Sequence, residues 1–226
     1  MHYRNFKKIR GRGFIRNQAV LDCNTELLLF LDSTNVLPKE FCYIARKHFD
    51  DDLVCGASGV INNHESAYGI SAKWRSRHLF KAEMTYNNYH NTKCLTTYGT
   101  ILRRSAVLDV GNFNPALKHS EDKDLGKRLL NAGYKIIGDP NLIVYSIKRD
   151  SVFSVLERYW RWYGGEDESM SFYDYLVAIK ASIRPMIQQD IMAHDLKSIF
   201  ISLLCPHYGY CRYLFRKFTG KIQKVS

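Results

Sequence analysis

Apolar and polar positions along the chain switch repeatedly between a helical and a strand-like period. Gly13 to Cys23 has helical spacing, and Glu26 to Leu31 (ELLLFL) is a continuous apolar run of strand length that ends on Asp32. Pro38 suits the first turn of a helix, which predicts one over the following KEFCYIARKHF. Leu53 to Val60 and Cys94 to Leu102 are two further strand candidates. The polar and aromatic stretch from Asn62 to Asn91 is long for a plain loop and predicts a helix around Ala72 to Met84 that covers a cleft. Arg103 to Phe113 reads as a short helix stopped by Gly111. Ser120 is an N-cap candidate, with Glu121 and Asp122 in the first turn, an apolar stripe at Leu125, Leu129 and Leu130, and Gly133 as the stop. Lys135 to Ile137 and Leu142 to Val144 read as short strands around an Asp139-Pro140 turn, and from Asp150 onward the signals are helical.

This alternation, without internal repeats, predicts an α/β core over residues 1–149 and a helical extension over 150–226 that is too small to stand as an independent domain. The longest apolar runs, Leu27 to Leu31 and Ile199 to Cys205 with Ser202 inside it, fall far short of the ~20 residues of a membrane span. The first residues are basic but no apolar stretch follows them, so a secretory signal is not expected and a cytoplasmic location is. Cys23, Cys42, Cys55, Cys94, Cys205 and Cys211 show no metal-binding spacing and are expected to be buried thiols. The net charge of +11 resides in the termini: Arg4, Lys7, Lys8, Arg10, Arg12 and Arg16 at one end, Arg212, Arg216, Lys217, Lys221 and Lys224 at the other, with residues 17–206 neutral. A nucleic-acid partner is therefore not expected, while phosphate or an anionic membrane surface suits the pattern.

Four local patterns occur in order. Residues 11–17 (GRGFIRN) precede the first strand; Glu26 to Asp32 continues into Ser33-Thr34; Tyr98-Gly99-Thr100-Ile101-Leu102-Arg103-Arg104 leads to Val110-Gly111-Asn112-Phe113; and Ser120-Glu121-Asp122-Lys123-Asp124-Leu125 with Arg128 leads to Gly133-Tyr134-Lys135. Glu157-Arg158-Tyr159-Trp160-Arg161-Trp162 follows as a basic and aromatic motif. Together these resemble the inverting family-two glycosyltransferases. The resemblance implies a GT-A-like, Rossmann-related, mostly parallel sheet flanked by helices, incomplete at its amino terminus and followed by a helical C-terminal tail. It implies transfer of a sugar from a nucleotide-diphosphate sugar to a saccharide or lipid-linked acceptor, in bacterial surface polysaccharide synthesis.

On that resemblance, Asp122 is the catalytic base with Glu121 as its neighbour or substitute, because inverting transfer needs a carboxylate to take the acceptor hydroxyl proton. Arg16, Asn17, Asp32, Thr34, Gly99, Arg103, Arg158, Trp160, Arg161 and Trp162 are the substrate-binding candidates. Asp32 is the expected ligand of a divalent metal, Mg²⁺ or Mn²⁺, that bridges the diphosphate. Thr34 stands where the family has a second acid, and Tyr145 and Ser146 stand where it has a later histidine. The family also begins with two β/α units, about 60 residues, that this sequence does not contain ahead of residue 11. A sheet without them exposes an apolar edge, and a partner chain supplying the missing half is one expectation. Two functional readings stay open: an active transferase, and a non-catalytic truncated or partner-dependent homologue that binds sugar, diphosphate or membrane. In the tail, Tyr208, Cys211, Leu214, Phe215 and Phe218 share one helical face beside Arg212 and Arg216, which suits a basic amphipathic helix at the inner face of the cell membrane.

Overall fold

A computed structural model describes residues 11–81, 88–163 and 170–219. Four of the basic N-terminal residues, Lys221 and Lys224, and the end of the helix expected to reach Met84 lie outside the described residues. In chain order the elements are α1 (Arg12–Asp22), β1 (Leu27–Leu31), β2 (Asn35–Val36), α2 (Phe41–Arg46), β3 (Val54–Asn63), α3 (Ile70–Arg75) and β4 (His90–Asn91). They continue with β5 (Gly99–Arg103), α4 (Arg104–Asp109), α5 (Glu121–Asn131), β6 (Lys135–Ser146), α6 (Val152–Tyr163), α7 (Phe172–Ala181), α8 (Gln188–Met192) and α9 (Leu196–Phe218). The chain divides into two compact units, Met1–Asn62 with Met84–Ser146, and Asn63–Glu83 with Ile147–Ser226. A single division near Asp150 does not describe this arrangement, because Asn63–Glu83 joins the helical unit.

The first unit is a sheet with strand order β1-β5-β3-β6-β2, with β4 also on β6. β5 runs antiparallel to both β1 and β3, and β2 and β4 run antiparallel to β6. The sheet is thus mixed rather than mostly parallel. A buried apolar run such as β5 signals burial on two faces, and burial carries no information about direction. Lys135 to Ser146 is one strand rather than two strands around a turn. Pro140 falls between the stretch paired with β4 (Ile137, Gly138) and that paired with β2 (Tyr145, Ser146), so its missing N–H breaks neither pairing. β1 stands at the end of the order, with Leu28 buried but Leu29 42% and Leu31 43% exposed.

On the sheet, Val20 of α1, Ala106 and Val107 of α4, and Leu125 and Leu129 of α5 pack with Leu28, Leu102, Phe113 and Ile136 into one buried cluster. Each fully buried Leu contributes ~1.5–3 kcal/mol. α5 stops where expected: Gly133 takes a left-handed φ of +90°, and Tyr134 N–H closes onto the Leu129 carbonyl. Its start differs, because Ser120 sits in left-handed conformation and its side chain makes no capping bond.

The second unit is helical. Trp74, Val155, Leu156, Met186 and Ile201 form its buried cluster. Arg75, fully buried, donates to Asn63 Oδ1 (2.6 Å), to the Lys148 carbonyl (3.1 Å) and to Asp150, and so ties residues 63–80 to those after 147. The segment expected to be helical from Ala72 is α3 followed by a π-helical turn at Ser76–Phe80. Of the cysteines, Cys55 and Cys205 are buried, whereas Cys42, Cys94 and Cys211 are exposed, so half of them depart from expectation. All three sit on irregular or amphipathic segments whose outward positions a spacing argument does not resolve.

Candidate active site

The strand pairings bring the ends of several elements to one place in the first unit. Leu31, the last residue of β1, pairs with Gly99, the first of β5, so Asp32 leaves the sheet beside the segment preceding Gly99. Asp32 is exposed, and its carbonyl accepts from Asn35 N–H (2.9 Å) in a tight turn containing Ser33 and Thr34. Buried Asn35 then donates from Nδ2 to the Tyr98 carbonyl (2.7 Å) and pairs in β2 with Ser146. Tyr98 donates its hydroxyl to the Gly59 carbonyl (3.1 Å), and burial pushes its phenol pKa up, so it remains a donor. Gly99 is required by close approach, since a Cβ there would lie 2.5 Å from Val144 Cγ2.

Asp122 reaches the same place from α5. Its Oδ2 accepts from the hydroxyl of buried Thr97 (3.3 Å), one residue before Tyr98, and its Oδ1 accepts from Lys123 N–H (2.9 Å). The half-buried carboxylate sits at the positive end of an 11-residue helix. Cys94 registers it: although the residue is exposed, partial desolvation of its thiol first, and the Asp122 charge after it, push that thiol's pKa up. Asp32, Thr34, Gly99 and Asp122 are therefore brought together at one end of the sheet. Asn35, Thr97 and Tyr98 position them; sequence reasoning passed over Asn35 and Thr97 and took Tyr98 only as part of the glycine motif, although Thr97 adjoins it.

The remaining candidates are placed otherwise. Glu121 is 0% exposed and pairs with Arg16, with Arg12 3.6 Å away, while its Oε2 has no partner among the described residues. It is an anchor between α1 and α5, not a second base, because its charge points into the protein. Arg16 is committed to Glu121, and Asn17 donates to the Phe113 carbonyl (2.7 Å) and accepts from Asn112 on its own carbonyl (3.1 Å). The two glycines of the motif serve packing. Gly13 N–H donates to the Leu117 carbonyl (3.1 Å), and a Cβ on it would meet the Asn114 carbonyl at 2.2 Å. Arg103 lies at the opposite end of β5, its guanidinium on the Phe49 (2.6 Å) and Val54 (3.2 Å) carbonyls and on Glu26 (3.0 Å). Arg158, Trp160, Arg161 and Trp162 belong to α6 in the other unit. Trp160 there is 6% exposed against Gly209, and Arg158 lies 3.5 Å from Asp150.

For a metal, the donor set is sparse. Among the described residues no three His, Cys, Asp or Glu side chains converge on a metal-sized site, and Asp32 is a single carboxylate followed by two hydroxyl residues. Hard divalent ions bind through one or two carboxylates when substrate phosphates complete their shell. Asp32 fits that limited role and no larger one.

The fold is that of GT-A glycosyltransferases. The described architecture is similar to the mannosyltransferase PcManGT of Pyrobaculum calidifontis, solved with GDP-Man and Mn²⁺, with a TM-score of 0.52 over 93% of this chain and 68% of that one at 13% identity. Residues 27–216 match the model of glycosyl transferase family group 2, and the chain belongs to that family. Among curated relatives, the pre-mycofactocin glycosyltransferase of Mycobacterium tuberculosis is 25% identical over 139 residues, which are 60% of this chain and 30% of that protein. The succinoglycan biosynthesis protein ExoA of Rhizobium meliloti is 23% identical over 168 residues, 71% of this chain and 48% of that protein. The chain thus spans less than half the length of either.

Proposed function

We propose that the chain carries the base-bearing part of an inverting glycosyltransferase, which moves a sugar from a nucleotide-diphosphate donor to a hydroxyl of a saccharide or lipid-linked acceptor. The observation that supports it is the Asp122 carboxylate, set by Thr97 at the start of α5 beside Gly99 and the Asp32 turn. In the reaction, the acceptor oxygen attacks the anomeric carbon while Asp122 takes its proton. The bond from that carbon to the diphosphate oxygen breaks on the opposite face, and the nucleoside diphosphate leaves with the electron pair. The carboxylate is rigid because its helix is held by the Glu121–Arg16 pair, so little reorganisation accompanies proton transfer. A divalent ion, held by Asp32 together with the donor phosphates, would neutralise charge on the leaving diphosphate. The family and the ExoA relative, named for succinoglycan biosynthesis, support a role in bacterial surface polysaccharide assembly.

Titration of the chain with UDP and GDP, with and without Mn²⁺, combined with release of nucleotide from UDP- and GDP-sugars, tests this. Asp122→Asn should bind nucleotide and melt as the parent does, while nucleotide release falls by at least ~10²-fold. Equal release by the variant, or a parallel loss of folding, refutes the assignment. Thr34 in place of an acid favours the second reading, a non-catalytic homologue. Nucleotide binding without release by the parent chain, once joined by any partner chain that completes the sheet, would decide for it.

A further inference from the structure

A surface helix ordinarily hides an apolar face and shows solvent a polar one. α9 does otherwise. Its inward side is made of Ser198, Ile201, Ser202, Cys205 and Gly209, whereas Leu196, Phe200 and Leu203, spaced i, i+4, i+7, stand in solvent, and Phe218 continues that side. Phe200 is 59% and Phe218 84% exposed. α7 has no buried residue at all, and Phe172, Tyr173, Leu176 and Val177 are exposed on it. The π-helical turn at Ser182–Ile187 and α8 add Ile183, Ile191 and Met192. These elements form an antiparallel hairpin. Tyr175 stacks on Tyr210 at 4.4 Å and bonds His207, Ser182 Oγ donates to the Ser202 carbonyl (2.6 Å), and Asp195 N–H donates to the Asp190 carbonyl (2.9 Å) at the bend. The exposed apolar residues therefore belong to one two-helix element, more than the scattered singles of an ordinary surface.

Apart from Asp174, an exposed carboxylate at the start of α7, the outward charges of this hairpin are positive. Asp174 is held in the capping box with Ser171, Asp190 is buried among Arg77, His78 and Ser202, and Asp195 binds Ser198 and Arg77. Lys180, Arg184, Lys197 and Lys217 are exposed, and none has a carboxylate partner among the described residues. From Leu196 to Ser226 the sequence contains no Asp or Glu. Apolar side chains bordered by uncompensated cations match the two layers of an anionic bilayer surface, acyl chains below and phosphates above.

We propose that the α7–α9 hairpin docks the protein onto an anionic phospholipid bilayer, lying in the interface. No helix among the described residues is long and apolar enough to cross a membrane. The surface differs from the one the sequence suggests over Tyr208 to Phe218. Tyr208 and Arg212 are instead committed to Glu157, and Tyr208 also packs on Phe153. The docking element begins earlier, on α7, and the proposal stands independently of the transfer chemistry.

Flotation of the whole chain with vesicles of phosphatidylcholine alone and of phosphatidylcholine mixed with phosphatidylglycerol tests it. The chain should float with the mixed vesicles and much less with the neutral ones. Replacing Lys180, Arg184 and Lys197 by Gln should lower partitioning about fivefold per charge removed. The triple variant Leu176→Ser, Phe200→Ser, Leu203→Ser should stay at the bottom of the gradient with unchanged circular dichroism, since all three side chains are already exposed. Absence of flotation, or flotation undiminished in the apolar variant, overturns the proposal. So does a dimer in sedimentation velocity that the apolar variant dissolves while vesicle binding is missing, because the surface then joins two copies of the chain.

Discussion

Replacement of Arg16 by Met isolates the buried Glu121 carboxylate. Glu121 is 0% and Arg16 14% exposed at the side chain, and among the described residues the other cation nearby is Arg12, 3.6 Å away and 55% exposed. Removing one partner of a buried pair costs ~3–5 kcal/mol, because the remaining charge stays desolvated. Arg12 can move in part of the way, which places the expected loss near ~3 kcal/mol, the lower end of that range. In a chain of this size that corresponds to a fall of about 6–12 °C in Tm. The double variant Arg16→Met, Glu121→Leu removes both charges and conserves volume, so it should recover to within ~1 kcal/mol of the parent. Urea unfolding followed by circular dichroism and by fluorescence gives the cycle. A single variant within ~0.5 kcal/mol of the parent, or a double variant as unstable as the single, would refute a buried anchor between α1 and α5.

The acid response of the helical unit follows from Asp150 and Asp190. Burial alone would raise both carboxyls, but Arg158 and then Arg75 at the first, and His78, Ser202 and Arg77 at the second, hold them below the ordinary 3.8. A depressed carboxyl favours the folded state above its unfolded pKa and loses that contribution as pH falls through the folded value. The Tm contribution of these groups should therefore be constant above about pH 5 and decline below about pH 4; a transition unchanged down to about pH 3 would contradict it. Gly209→Ala places a Cβ 2.7 Å from Trp160 Cε3, so α9 must retreat from α6, at a cost of ~1–3 kcal/mol with a shift in tryptophan emission. A variant that melts with the parent would show that the two helices are not in close contact.

What the sequence disclosed was local. ELLLFL before Asp32 and the stripe from Leu125 to Gly133 announce β1 and α5, because periodicity and stop residues act over a few positions. The direction of β5 and the continuity of β6 through Pro140 depend on which strands lie beside them, and no local pattern carries that. The site was legible to the same degree. Asp32 follows the residue that pairs with Gly99, and Asp122 bonds Thr97 two residues before Gly99, while Arg16 and Arg103 read equally well as phosphate ligands and as the structural cations they are. Arginine serves both roles with the same fork of donors, and only the partner distinguishes them. Arg16 finds its partner 105 residues away, in Glu121, and Arg103 finds carbonyls around Phe49 and Val54. Trp160 illustrates the same limit for aromatics, since its neighbour Gly209 gives no sequence signal of the close approach that buries it.

The adjacent acids at the start of α5 show how one fold separates two chemically similar groups. Successive side chains on a helix point ~100° apart, so Glu121 and Asp122 cannot face the same surroundings. The inward position takes the longer side chain, which reaches Arg16 on α1 and leaves Oε2 without a donor among the described residues. Fully buried against a guanidinium, Glu121 has no exposed lone pair with which to receive a proton from an acceptor. The next position carries the shorter side chain outward, half-buried, with its oxygens steered by Thr97 and by its own helix. On the proposed assignment, anchor and base are neighbouring residues, and the Glu121–Arg16 pair fixes the start of the helix from which Asp122 projects. With the acids exchanged, the shorter side chain would face Arg16 across a wider gap, and the longer, more mobile one would project from the next position of α5 toward Thr97.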